Sequence, residues 1–207
     1  FVEAASHQWN ILLERSLVEI RENGDGTVTV VVEHDGEVEE IVADIVLAAT
    51  GRRSNSDALK ASSFFDVDSC GFIGTDKYQR VLYNGSPVPG VFALGDVSSP
   101  FQLKHVANHE ARTVQHNLSH PDSFVASDHR FVPAAVFSNP QIATVGLSEE
   151  NARKLGEREG FKVTVKSQNY GDTAYGWAME DSVGLAKLIA RKDTGQLLGA
   201  QDRKSVV

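Results

Sequence analysis

Gly90-Val91-Phe92-Ala93-Leu94-Gly95-Asp96 is an apolar run that stops at Gly-Asp, and soon after it residues 101–118 run on without Gly or Pro. The pattern reads as a buried strand, a tight turn and a helix. Gly95 lets another group approach the backbone closely, and the Asp96 carboxylate can accept hydrogen bonds from hydroxyls. Leu103, Lys104 and His105 stand at the helix start, where unpaired amides and the helix dipole favour negative charge. The same residues also read as plain scaffold, because short motifs recur by chance.

Upstream, Asp44-Ile45-Val46-Leu47-Ala48-Ala49-Thr50 is an apolar run ending at Gly51, the pattern of a strand buried on both faces. Before it, residues 17–21, 27–33 and 39–42 cluster β-branched side chains between the turn signals Asn23-Gly24-Asp25-Gly26 and His34-Asp35-Gly36, which predicts an antiparallel meander. Phe1, Val2, Ala5 and Trp9 fall at helical spacing, so the chain is expected to open inside a helix whose start lies upstream. Downstream, short strands are expected at 79–82 and 90–94. The polar, breaker-rich stretch 121–130 is the expected domain boundary. Two short strands are expected within 132–145 around Asn139-Pro140, then a helix over 148–156 with Ser148 as its N-cap, and strands at 161–166, 183–189 and 197–200. Residues 201–207 read as a non-native tail that closes no element. The expected fold class is α/β plus α+β.

With 28 acidic against 20 basic residues the formal charge is −8, and no dense Lys/Arg run offers a footprint for nucleic acid or an anionic membrane. No apolar stretch approaches a membrane span. A single cysteine, Cys70, forms neither an internal disulfide nor a Cys-x-x-Cys pair, so a cytoplasmic location is expected. Cys70 lies among acidic neighbours in Asp68-Ser69-Cys70-Gly71, which makes it an unreactive surface thiol. His105, His109, His116 and His120 lie broadly on one helix face with Glu110. Arg112 shares that face and opposes a metal there, so no metal is expected. Tyr175 and Trp177 read as core or interface aromatics rather than a substrate cleft.

Ala49-Thr50-Gly51-Arg52, followed about forty residues later by Gly90–Asp96, resembles the second flavin signature of the pyridine nucleotide-disulfide oxidoreductases, class I. Val132-Pro133-Ala134-Ala135-Val136-Phe137 with Asn139-Pro140-Gln141-Ile142-Ala143-Thr144-Val145-Gly146 resembles the opening of that family's dimerisation domain. Residues 103–111 and 174–181 resemble most the mycothione reductase branch. The resemblance implies residues 1–50 as the end of an NAD(P)-binding domain, 51–125 as the returning part of an FAD-binding domain, and 131–200 as a truncated dimerisation domain. It further implies FAD as cofactor, held by Thr50, Gly51, Arg52, Gly95, Asp96, Leu103, Lys104 and His105, with Asp96 on the ribityl chain and 103–105 at the pyrimidine edge. NADPH, with its site largely missing, a small-molecule disulfide substrate and a homodimer complete the implied set.

The family's glycine-rich turns, redox cysteine pair and late His-Pro are not found in the sequence, so no catalytic residue is assigned. The chain is expected to be an inactive C-terminal-half fragment of an NADPH:disulfide oxidoreductase. The alternatives are a lipoamide dehydrogenase-like reductase and a non-catalytic dimerisation or flavin-binding domain.

Overall fold

The computed structural model describes residues 2–204. Phe1 of the expected opening helix and residues 205–207 of the expected tail lie outside them. The chain divides into two compact units, Phe1–Arg52 and Arg53–Val207.

The first unit holds α1 (Val2–Ser6) and the strands β1 (Ser16–Glu22), β2 (Val28–His34) and β3 (Glu37–Ala43). They pair antiparallel in the order β1-β2-β3, the expected meander. Local chemistry fixes both turns. Asp35 and Gly36 adopt φ of 51° and 84°, the left-handed pair that matches hairpin twist. In the other turn the Asp25 carboxylate accepts the Thr27 N–H and hydroxyl at 3.0 and 2.7 Å. β2, in the middle, buries Thr29, Val31 and Val32.

The strand expected at 44–50 does not form, and Ile45 and Leu47 are 84% and 87% exposed. An apolar run becomes a buried strand only where neighbouring strands supply its hydrogen bonds, and none among the described residues pairs with this one.

The second unit begins with β4 (Arg80–Tyr83) and β5 (Ser86–Phe92), an antiparallel hairpin, followed by α2 (Lys104–Ser119). Ala61, Ile73, Val81 and Ala93 form a buried cluster, with Val91 and Val97 packed on it. The helix starts at Lys104 rather than 101 because Gln102 adopts φ 48° and Leu103 is extended.

There follow β6 (Ala134–Val136), β7 (Gln141–Gly146), α3 (Glu149–Glu159), β8 (Val163–Asn169), α4 (Ala174–Ala178), β9 (Leu185–Arg191) and β10 (Leu197–Lys204). The strands make an antiparallel sheet in the order β6-β7-β10-β9-β8. The expectation that no element continues past Ala200 is corrected for residues 201–204. They extend β10 in the middle of the sheet, where Gln201 pairs with Thr144 on one side and Lys187 on the other. A strand between two others has both rows of backbone groups satisfied, which favours its continuation.

Ser148 caps α3 as expected, its Oγ accepting the Asn151 N–H at 3.2 Å, and Gly160 ends the helix at φ 77°. α3 lies against β8 and β10, and Ala152, Ile189 and Leu198 are buried between them. Gly146 faces Gly199 across β7 and β10, at the place where the Leu147 N–H donates to the Leu198 carbonyl at 2.9 Å.

Glu149 ties α3 to β9 by accepting from Lys187 Nζ at 2.9 Å, and it also accepts from Arg153 at 2.7 Å. These hydrogen bonds, Lys187 first, hold its carboxyl below the ordinary value. A depressed carboxyl stabilises the fold above its unfolded pKa of about 4.3 and loses that contribution as pH falls through the folded value. Urea midpoints of the native chain should therefore exceed those of Glu149→Gln at neutral pH and converge on them toward about pH 3. A gap unchanged over that range would refute the assignment.

The stretch 121–130 does not separate the compact units; it is strapped to α2 and the hairpin. Asn117 Nδ2 donates to the carbonyls of Tyr78 and Val125 at 3.1 and 3.0 Å, and its Oδ1 accepts the Val125 N–H at 2.8 Å. The Ser127 N–H donates to the Lys77 carbonyl at 2.9 Å. Phe124 packs its ring 5.8 Å from Tyr78 and 6.4 Å from Phe92.

Candidate functional site

β5 runs out into Ala93 and Leu94, and the chain then turns at Gly95, which is buried with φ 71°. Only glycine holds that backbone without strain. A Cβ on Gly95 would meet the Ala107 Cβ at 3.3 Å, so α2 packs directly on the turn. The next residue, Asp96, is exposed and has no partner among the described residues, which leaves both carboxylate oxygens free to accept.

α2 begins without a side-chain cap at Leu103 and without an acidic residue in its first turn. The first backbone bond to close it runs from the Ala107 N–H to the Leu103 carbonyl at 3.0 Å. The amides of Lys104, His105 and Val106 have no acceptor among the described residues, the unfilled positive end of a helix.

Gly95, Asp96, Leu103, Lys104 and His105 thus share the junction of β5 and α2, as the sequence predicts. Thr50, Gly51 and Arg52 lie exposed at the end of the first unit, with Gly51 at φ 105°.

Leu103 and His105 open onto a hollow of about 550 Å³ on one face of the five-stranded sheet, walled by Phe137, Val145 and Leu188. At its edge the Tyr170 hydroxyl donates to Asp202 Oδ1 at 3.0 Å. Burial first, and then the Asp202 carboxylate, push the Tyr170 hydroxyl above its ordinary pKa.

Beneath the turn lies a carboxylate whose place here the sequence reading did not anticipate. Glu110 is 1% exposed; its Oε2 accepts the Gly95 N–H at 2.6 Å, and its Oε1 lies 3.0 Å from His129 Nε2. The His129 contact has ion-pair distance without hydrogen-bond alignment. The signal for Glu110 was its spacing. Val106, Glu110, Thr113, Val114 and Asn117 are the buried positions of α2 and recur at helical intervals, so three of its core-facing residues, Glu110, Thr113 and Asn117, had to be polar and partnered.

His105, His109 and His116 of α2 and His120 at its C-cap do not converge. His109 Nε2 accepts the Asp128 N–H at 3.1 Å, while His116 and His120 stack 4.3 Å apart at the other end. No group of metal-ligating side chains occurs among the described residues. Cys70 is exposed. Trp177 and Tyr175 are 78% and 54% exposed, which corrects the core part of their reading. Both sit in the short α4, outside the buried cluster between α3 and the sheet.

The sequence profile of the pyridine nucleotide-disulphide oxidoreductases matches residues 3–111, and that of their dimerisation domain matches 132–202. The chain is 48% identical over 205 residues to mycothione reductase of Mycobacterium tuberculosis H37Rv, covering 97% of this chain and 42% of that protein. It is 35% identical over 185 residues to dihydrolipoyl dehydrogenase of Geobacillus stearothermophilus, covering 88% and 36%. The chain thus spans about two fifths or less of the curated relatives it matches.

LpdA of Mycobacterium tuberculosis shares the fold with a TM-score of 0.76 at 20% identity, over 98% of this chain and 41% of that one. The flavoprotein disulfide reductase RclA of Escherichia coli follows with 0.72 at 24%, over 90% and 39%. With over half of its residues matched by the first profile and the next 71 by the second, the chain belongs to the pyridine nucleotide-disulphide oxidoreductases, a family of NAD(P)H-dependent flavin enzymes.

Proposed function

We propose that this chain is the flavin-edge and interface portion of an NADPH:disulfide oxidoreductase whose substrate is mycothiol disulfide. The observation that carries the flavin part is the junction of β5 and α2. An unpartnered Asp96 carboxylate stands beside the uncapped amides of 104–106, in a fold that the family profile matches.

The donors and acceptors fit FAD. Asp96 would accept from ribityl hydroxyls, and the amides at 103–105 would face the electron-rich edge of the ring, where fixed positive charge tunes a flavin. When bound, FAD supplies the relay of electrons between a nicotinamide and a disulfide. Thr50, Gly51 and Arg52 are assigned to the same cofactor by resemblance. NADPH is assigned to the whole protein by resemblance alone, so no step is routed through that cofactor.

In this reading residues 1–50 close a nicotinamide domain, 51–125 return to an FAD domain and 131–200 form a dimerisation domain. The chain pairs as a homodimer in the cytoplasm. Support for the pairing comes from the dimerisation profile and from apolar side chains left on the β6–β7 side of the sheet, with Val136 and Phe137 57% and 85% exposed. No helix is long and apolar enough to cross a membrane among the described residues. The mycothiol assignment rests on the 48% identity, against 35% or less for the dihydrolipoyl dehydrogenases.

The test is a chimera in which this chain replaces the corresponding segment of the Mycobacterium tuberculosis mycothione reductase. It should purify yellow and reduce mycothiol disulfide with NADPH. Asp96→Ala should weaken FAD about ten- to a hundredfold, the worth of a charged hydrogen bond of ~1.5–3 kcal/mol. A colourless chimera, or flavin content indifferent to Asp96→Ala, would sink the reading.

A further inference from the structure

We infer that Glu110 is a positioning residue that sets the Gly95-Asp96 turn against the start of α2 and ties both to His129 in the segment leading into the five-stranded sheet. The inference deepens the flavin reading above and rests on it only for what the turn is for.

A carboxylate at 1% exposure is costly unless its oxygens are engaged. Glu110 Oε2 holds a hydrogen bond, and Oε1 lies against His129 Nε2 without hydrogen-bond alignment. Oε2 takes the Gly95 N–H at 2.6 Å, a short, charge-assisted bond to an amide that belongs to no sheet ladder. That amide immediately precedes Asp96. Because Gly95 also packs on Ala107, one turn before Glu110, the turn is gripped by two successive turns of the same helix. The helix start and the Asp96 carboxylate are thereby held in one fixed relation, although neither touches Glu110.

Oε1 faces His129 at 3.0 Å. His129 lies in a segment held on both sides of it. The Asp128 N–H donates to His109 Nε2, and Arg130 closes back on Asp128 at 2.6 Å. His129 also sets its ring 5.4 Å from Phe101, on the approach to α2. Glu110 therefore joins three pieces of chain: the end of β5, α2 itself and the entry to the interface sheet. A buried acid with no substrate-facing surface and two such partners acts through the groups it holds.

The experiment needs no flavin. In the 207-residue chain, the Gly95 amide should show a downfield-shifted NMR signal and slow hydrogen exchange. In Glu110→Ala that exchange should accelerate roughly tenfold or more, with β9 amides unchanged. Glu110→Gln keeps an acceptor but not the charge. It should restore Gly95 protection while moving the His129 imidazole signals.

Gly95 exchange within twofold of native in Glu110→Ala would overturn the inference, and so would failure of Gln to restore protection. If Glu110→Ala loses the β9 protection as well, the chain has unfolded and the Gln variant alone decides. A Gly95 amide that responds as expected beside a chimera without flavin would uphold the positioning role and sink the flavin reading.

Discussion

Supplied with FAD, NADPH and a small-molecule disulfide, the 207-residue chain is expected to consume no NADPH above the no-protein control. The expectation follows from the chemistry available within these residues. A disulfide relay needs two thiols alternating between dithiol and disulfide, and the sequence contains one cysteine. That cysteine, Cys70, is exposed, with its backbone N–H donating to the Asp68 carboxylate in a tight turn. It has no second thiol in the sequence to pair with. Protonation of a leaving thiolate needs a placed general acid. Three of the histidines along α2 and its C-cap are engaged elsewhere, His109 with Asp128, and His116 and His120 with each other and with backbone carbonyls. Spectrophotometry at 340 nm settles the matter, and steady disulfide-dependent NADPH loss would overturn the expectation.

Gly199→Ala should lower the unfolding free energy by about 3 kcal/mol, near the upper end for an overpacked site. A Cβ at Gly199 would overlap the Leu147 carbonyl oxygen and stand 2.9 Å from the Leu147 nitrogen. Leu147 cannot retreat without breaking its 2.9 Å bond to the Leu198 carbonyl. Gly199 cannot retreat either, because β10 is paired with β7 and β9 on its two sides. The β7 side offers no relief, since a Cβ on Gly146 would overlap the Leu198 carbonyl at a φ of 73°. Equilibrium urea unfolding followed by circular dichroism measures the loss. A shift below about 1 kcal/mol would show that the corner between β7 and α3 relaxes more freely than its hydrogen bonds imply.

What was legible in the sequence was whatever local chemistry decides. The meander of the first unit follows from Asp35-Gly36 and from the Asn23–Thr27 turn, whose side chains bond their own backbone neighbourhood. The α3 cap follows from Ser148, and the turn after β5 from Gly95. The run 44–50 failed because its strand character depends on partners rather than on its own residues. The start of α2 slipped by three residues because the left-handed Gln102 carries no compositional signal. At the site, Asp96 and the helix start were readable as types in order. Glu110 was not, because a carboxylate becomes a positioning group only when a turn from 15 residues earlier meets it. Asn117 escaped notice for the same reason, since its partners at Tyr78 and Val125 are distant or adjoining stretches with no mark of their own.

The strap at 121–130 bears on how such a protein can be taken apart. Its composition invites a cut there, as the natural seam between a cofactor-binding piece and an interface piece. Yet Asn117 satisfies two of its three hydrogen bonds on Val125, and Glu110 reaches His129. A piece ending near residue 120 would strip the Asn117 carboxamide of both its bonds to Val125, at about 1–3 kcal/mol for each buried group left unmet, and would take His129 from beside Glu110. A cut beyond His129 keeps these contacts in one piece, so the strap travels with α2.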